Sequence, residues 1–127
     1  MRELSSHKVN GLNEAIKIEA TDEPGAGNAH HKYRLRFGSA PAAVGEYYSG
    51  EQFVEFQNGP IAEVGINGIS QEALLAIVED RLKCFQSGPY SCRENAIALT
   101  HIQDAMHWLH HRTREREARG VEGTSTV

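Results

Sequence analysis

Residues 91–120 read SCRENAIALTHIQDAMHWLHHRTREREARG, and the fold turns on this stretch. Asn95, Ala98, Leu99, Ile102, Ala105, Met106 and Leu109 recur at intervals of three and four, the repeat of one face of a helix. The spacing predicts a helix from near Ser91 to near Arg119, about 40 Å long at about 1.5 Å per residue. A helix of that length outruns the core that one small sheet and one shorter helix supply. Leaving Trp108 and Leu109 in water would forfeit their apolar contacts. The expected solution is a helical hairpin that dimerises, with Leu99 and Met106 in the seam between copies.

The partner helix of the hairpin lies just upstream. Ser70 is suited to cap it, Glu72 sits in the first turn where an anion is favoured, and Leu74, Ile77, Val78, Leu82 and Phe85 keep the helical repeat. It spans about five turns, and Gly88-Pro89 ends it and redirects the chain. The N-terminal half has a different period. Tyr33, Leu35 and Phe37 alternate with Lys32, Arg34 and Arg36, which predicts a half-buried strand from His31 to Phe37 with a basic outer face. Strands are also expected over residues 14–20, through Ala15, Ile16 and Ile18, and over Gln52 to Gln57. Asn58-Gly59 favours a hairpin turn, which would return Ile61 to Ile66 as a fourth strand, although Pro60 lacks an amide donor for it. The first ten residues read as a polar arm with little structure of its own, and residues 38–50 as a loose, small-residue segment.

The resulting expectation is an α+β chain forming one domain. A polar arm (1–10) precedes a small antiparallel β part (14–66), an antiparallel helical hairpin (70–119) that dimerises, and a glycine-containing tail (120–127). A length of 127 residues fits a single domain. With 39% apolar and 24% charged residues the composition is globular, and no apolar run approaches the roughly 20 residues of a membrane span. Arg2 and Lys8 are not followed by an apolar stretch, so no secretory leader is expected and the cytoplasm is the expected compartment. The net charge of −4 argues against a nucleic-acid polymer as partner. Cys84 and Cys92 match neither a metal-ligand pattern nor a C-x-x-C redox motif, and thiols kept reduced are the plain reading.

Asn95 and Arg112 stand about 25 Å apart along one helix, too far for one small ligand. If two copies cross antiparallel about a two-fold axis near residues 103 and 104, Asn95 of one lies level with Arg112 of the other. Two identical composite pockets follow. Phe85, close to the hairpin turn, can offer a flat face to a base, and Arg112 can fork onto a phosphate or stack on a ring. Residues 120–124 supply flexible backbone and free amides suited to an anion-binding lid. Asp104, His107 and His111 share one helix face and, with His30-His31, could be considered for zinc, but no fourth ligand on that face is evident and no metal is expected. Gly25-Ala26-Gly27 lacks the third glycine of a dinucleotide fingerprint and precedes a strand. Three classes stay open on the residues alone: a non-enzymatic ligand-holding oligomer, a metal-dependent phosphodiesterase using the histidine stripe, and a protein-binding accessory without a small ligand.

Several segments resemble a known family. Phe56-Gln57-Asn58-Gly59-Pro60, Val64-Gly65-Ile66-Asn67-Gly68, Arg81-Leu82 with Phe85-Gln86, Cys92-Arg93-Glu94-Asn95-Ala96, Trp108-Leu109 with Arg112-Thr113, and Gly120-Val121-Glu122-Gly123-Thr124 are similar to phage-encoded Thoeris anti-defence proteins of the first described type. The helical hairpin is also similar to that of phage anti-CBASS sponges. The resemblance implies a phage- or prophage-encoded protein of the host bacterial cytoplasm, not an enzyme and without a cofactor. It would bind and sequester cyclic ADP-ribose isomers made by bacterial TIR-domain enzymes, without cleaving them. It implies ligand contacts at Phe85, Asn95 and Arg112, with Asn67 and Thr124 in loops bordering the site, and homodimers assembling into a hexamer. Cyclic di- and trinucleotides of CBASS systems are a further ligand class in some members, for which the basic strand face of Lys32, Arg34 and Arg36 is a candidate place.

Overall fold

Arg34 and Arg36 organise the N-terminal half around a single carboxylate. In the computed structural model, which describes residues 1–38 and 48–127, Glu19 is buried. It accepts hydrogen bonds from Arg34 Nη2 at 3.0 Å and Arg36 Nη2 at 2.7 Å. These residues belong to a four-stranded antiparallel sheet of β1 (Arg2–Leu4), β2 (Lys17–Ala20), β3 (Lys32–Phe37) and β4 (Gly50–Glu55), in that spatial order. A helical turn, α1 (Gly11–Glu14), links β1 to β2. The register pairs Glu19 with Arg34, Ile18 with Leu35, and Tyr33 with both Ala20 and Val54. Opposed residues share a face, so one face carries Glu19, Arg34, Arg36 and Glu51 and the other carries Leu4, Ile18, Ala20, Tyr33, Leu35 and Val54.

The basic strand face is therefore not an open cationic surface. Arg34 and Arg36 converge on Glu19, Arg34 Nε also approaches Glu51 Oε1 at 3.8 Å, and the Arg36 guanidinium lies 4.9 Å from the Tyr48 ring centroid. Two further expectations are corrected. The first residues are not an unstructured arm: Leu4 pairs with Ile18 on the apolar face, His7 Nε2 meets the Ile16 carbonyl at 2.7 Å, and the Asn10 side chain caps α1. The strand expected over residues 14–20 accordingly starts only at Lys17.

Residues 61–66 do not form a returning strand. Pro60 precedes the short helix α2 (Ile61–Val64), and Asn58-Gly59 is spent on a braced loop. Asn67 Nδ2 donates to the Asn58 carbonyl and Asn67 Oδ1 accepts from the Asn58 amide, both at 2.8 Å. The Asn67 amide reaches Gln57 Oε1 at 2.9 Å, and Phe56 forms a parallel bridge with Ile69. A side-chain brace across nine residues has thus replaced the local turn. Met1–Gly59 with Ile66–Ile69 form one compact unit, and Pro60–Gly65 with Ser70–Val127 form a second.

The second unit is the expected antiparallel hairpin. Helix α3 (Gln71–Gln86) starts at Ser70, whose hydroxyl accepts from the Ala73 amide at 3.1 Å. Helix α4 (Arg93–Ala118) has 26 residues and starts at Cys92, whose Sγ accepts from the Asn95 amide at 3.4 Å. Among the described residues no helix is long and apolar enough to cross a membrane, and Ala20 is the one apolar residue that is buried. Leu99, Ile102, Met106 and Leu109 are half-buried, whereas Trp108 is 65% exposed and Ile77 66%. The stripe of Leu99 and Met106 is therefore largely covered within the chain. A neighbouring stripe of Ile97, Ala98, Ala105 and Trp108 is the one left open.

The close approach at Gly68 and the ion pair at Glu19 each give an expected outcome. A Cβ on Gly68 would lie 2.4 Å from the Phe56 carbonyl carbon, so Gly68→Ala should lower stability by about 2 kcal/mol in urea denaturation. The Arg36 hydrogen bond holds the Glu19 carboxyl below its ordinary value of 4.5, against the upward push of burial. A depressed folded value stabilises above pH 4.5 and is lost as pH falls through it. Glu19→Gln should therefore flatten the decline of sheet stability below pH 4.5 in acid titration followed by circular dichroism.

Candidate functional site

The turn between the two long helices gathers the candidate groups. Phe85 stands in the last turn of α3, and the Tyr90 ring meets it edge-on at 6.0 Å between centroids and 69° between planes. Arg81, one turn earlier, places its guanidinium carbon 4.8 Å from the Phe85 ring centroid, as residues four apart on a helix do. Gln86 Oε1 accepts from the Cys92 amide at 3.1 Å and so fixes the start of α4. Asn95 Nδ2 donates to the Tyr90 carbonyl at 3.5 Å, which turns Asn95 Oδ1 away from that carbonyl and leaves it as an acceptor. Phe85 and Asn95, expected to be neighbours, thus share one end of the hairpin with Tyr90 and Arg81.

Arg112 is not there. It stands 17 residues beyond Asn95, about 25 Å along the axis, exposed and without an ion pair among the described residues. One turn earlier on α4, an open groove of about 520 Å³ is lined by Gln71, Leu74, Leu75, Ala105, Trp108 and Leu109. His107 and His111 flank Trp108 edge-on, at 5.4 and 5.8 Å between centroids, and His111 Nε2 approaches Glu115 at 4.0 Å. Among the described residues no three His, Cys, Asp or Glu side chains gather as a metal site.

Thr124 belongs to a tail that is folded rather than free. Arg116, 9% exposed, donates Nη1 to the Thr126 carbonyl at 2.6 Å and Nη2 to the carbonyls of Val121 and Thr124 at 3.0 and 3.1 Å. Its Nε meets Glu122 Oε2 at 3.2 Å. The Thr124 hydroxyl donates to the Val121 carbonyl, and the Ala62 amide donates to the Gly123 carbonyl at 2.9 Å. Gly120 and Gly123, at φ 73° and 79°, allow the reversal that a side chain would resist. Sequence reading passed over Arg116 because it sits in a run of arginines ending a helix, where charge is normally solvated. Glu122, six residues on, was the one available hint. Asn67 lies in the other unit, where both ends of its amide are committed to Asn58.

The described residues thus define a protein built on an antiparallel two-helix hairpin with an aromatic and amide cluster at its turn. A known family covers that part: the description "Acb2/Tad1, hairpin domain" matches residues 51–114. The chain belongs to this Acb2/Tad1 hairpin-domain family. A relative from Bacillus phage SBSphiJ7, named "Thoeris anti-defense 1", is 54% identical over 71 residues, 56% of this chain and 50% of the relative. The match thus spans about half the length of that relative. The hairpin carries Phe85, Asn95 and Arg112 inside the family's region, while Arg116 and Thr124 lie beyond it.

Arg116→Ala should release the tail. Loss of four bonds to a buried guanidinium corresponds to about 2 kcal/mol or more, read as faster amide exchange over residues 121–126 with little change within α3.

Proposed function

We propose that this chain is a phage counter-defence protein that binds cyclic ADP-ribose isomers, the signals of TIR-based Thoeris immunity, and withholds them without cleavage. The observation that carries the proposal is the cluster of Phe85, Asn95 and Tyr90 at the hairpin turn, with Arg112 unpaired at the far end of the same helix. Family membership and the name of the phage relative support it. Two copies crossing antiparallel through the open stripe of Ile97, Ala98, Ala105 and Trp108 bring Arg112 of one level with Asn95 of the other. The base stacks on Phe85, Asn95 Oδ1 accepts from its amino group, and Arg112 meets the diphosphate. Thr124 borders the pocket on a tail held by Arg116. Assembly of dimers into a hexamer, and binding of cyclic di- or trinucleotides at separate sites, extend the proposal on family resemblance.

Sequestration and hydrolysis differ in what is recovered. Mixing the protein with a cyclic ADP-ribose isomer and then heat-denaturing it should return intact cyclic ligand; linear ADP-ribose would make the protein a hydrolase. Phe85→Ala should weaken binding by about 1–3 kcal/mol with unchanged elution in size-exclusion chromatography. Trp108→Asp should instead shift elution toward the single chain, because it places a charge in the face that the second copy covers.

A further inference from the structure

Arg81 is the cation nearest the Phe85 ring, 4.8 Å from its centroid. It is exposed, and among the described residues no carboxylate pairs with it. Several other cations are engaged with carboxylates: Lys83 pairs with Glu79 on the same helix, Arg34 and Arg36 with Glu19, and Arg116 with Glu122. The separation at Phe85 admits no third plane, since two stacked planes are about 3.5 Å apart and an inserted base would need about twice that. A base arriving on this face of Phe85 displaces the guanidinium. Arg81 then stays within one helical turn of the bound base on a long, flexible stem, with its five donors unfilled.

Resting on the reading of the hairpin turn as a nucleotide site, we propose that Arg81 is a phosphate-binding residue of that site. In the empty protein it rests on the Phe85 ring; when a nucleotide diphosphate binds, it leaves the ring to the base and forks onto the phosphate oxygens. An exposed cation–π contact is weaker than a forked bond to phosphate, so the exchange runs toward the ligand. The ring is also shielded from water until the base takes its place. The ligand class is a nucleotide whose base and diphosphate lie close together, as in a cyclic ADP-ribose ring. Arg81 supplies a cation from the chain that supplies Phe85, and Arg112 supplies one from the second copy.

Titration calorimetry of the full chain with a cyclic ADP-ribose isomer, over a range of salt concentrations, tests this. Arg81→Gln should weaken binding about tenfold or more and flatten its salt dependence, Arg81→Lys should recover part of both, and adenosine, which has no phosphate, should bind Arg81→Gln no more weakly than wild type. Wild-type affinity and salt dependence in Arg81→Gln would overturn the role of Arg81 and leave sequestration standing. Equal losses for adenosine and the diphosphate ligand would also overturn it, assigning Arg81 to support of the Phe85 ring. Wild-type protein that binds no cyclic ADP-ribose isomer would overturn both the inference and the reading beneath it.

Discussion

The hairpin has one apolar face too many. Two antiparallel helices cover each other along one stripe each, and here Leu99, Ile102, Met106 and Leu109 are half-buried by that packing. Trp108, Ile77 and Ile97 remain in contact with water on a different stripe. Burying a large aromatic and several aliphatic side chains is worth several kcal/mol at roughly 25 cal/mol per Å², on the scale of a small domain's whole stability. A second copy supplies such a cover with the same residues. Arg112 borders that stripe, so covering it also decides what Arg112 meets. In the proposed dimer, assembly and ligand binding would both follow from this one uncovered face.

The rest of the hairpin prepares the two ends of that face. At the turn, Gln86 fixes the start of α4, Tyr90 tethers the Asn95 amide, and Phe85 is held between Arg81 and Tyr90. At the other end Arg116 collects carbonyls from Val121, Thr124 and Thr126, turning eight terminal residues into a cap on α4. A short tail carries few apolar residues, so its order rests on this one buried cation and on two glycines that permit the reversal. The sheet unit uses the same device at Glu19, where a single carboxylate on β2 holds two arginines of β3.

The helices were legible because their signals are local: the cap at Ser70, the break at Gly88-Pro89, and unbroken periodicity on either side of it. The central strands, with alternation at Tyr33, Leu35 and Phe37, were legible for the same reason. What escaped was set by distant partners. Arg2–Leu4 has no strand pattern of its own and pairs only because β2 offers an open edge. Asn58-Gly59 carries a strong turn signal, yet Asn67 captures Asn58 and Pro60 opens a helical turn. Arg34 and Arg36 read as a basic face until the register brings Glu19 between them. At the site, Phe85 and Asn95 could be placed together from helix geometry, while Tyr90 and Arg81 needed ring positions that no spacing rule gives. Leu99 and Met106, expected between copies, are half-buried within the hairpin itself, because two apolar stripes run along α4 and periodicity does not rank them.

The central claim is that each pocket takes Asn95 from one copy and Arg112 from the other. It is tested most directly by preparing Asn95→Ala and Arg112→Ala chains with different tags, isolating the mixed dimer, and measuring its binding stoichiometry for a cyclic ADP-ribose isomer. In the mixed dimer one pocket carries both substitutions and the other carries neither. The account predicts that each variant alone binds weakly and that the mixed dimer regains half the wild-type number of sites at wild-type affinity. A mixed dimer that binds no better than the two variants alone would contradict it.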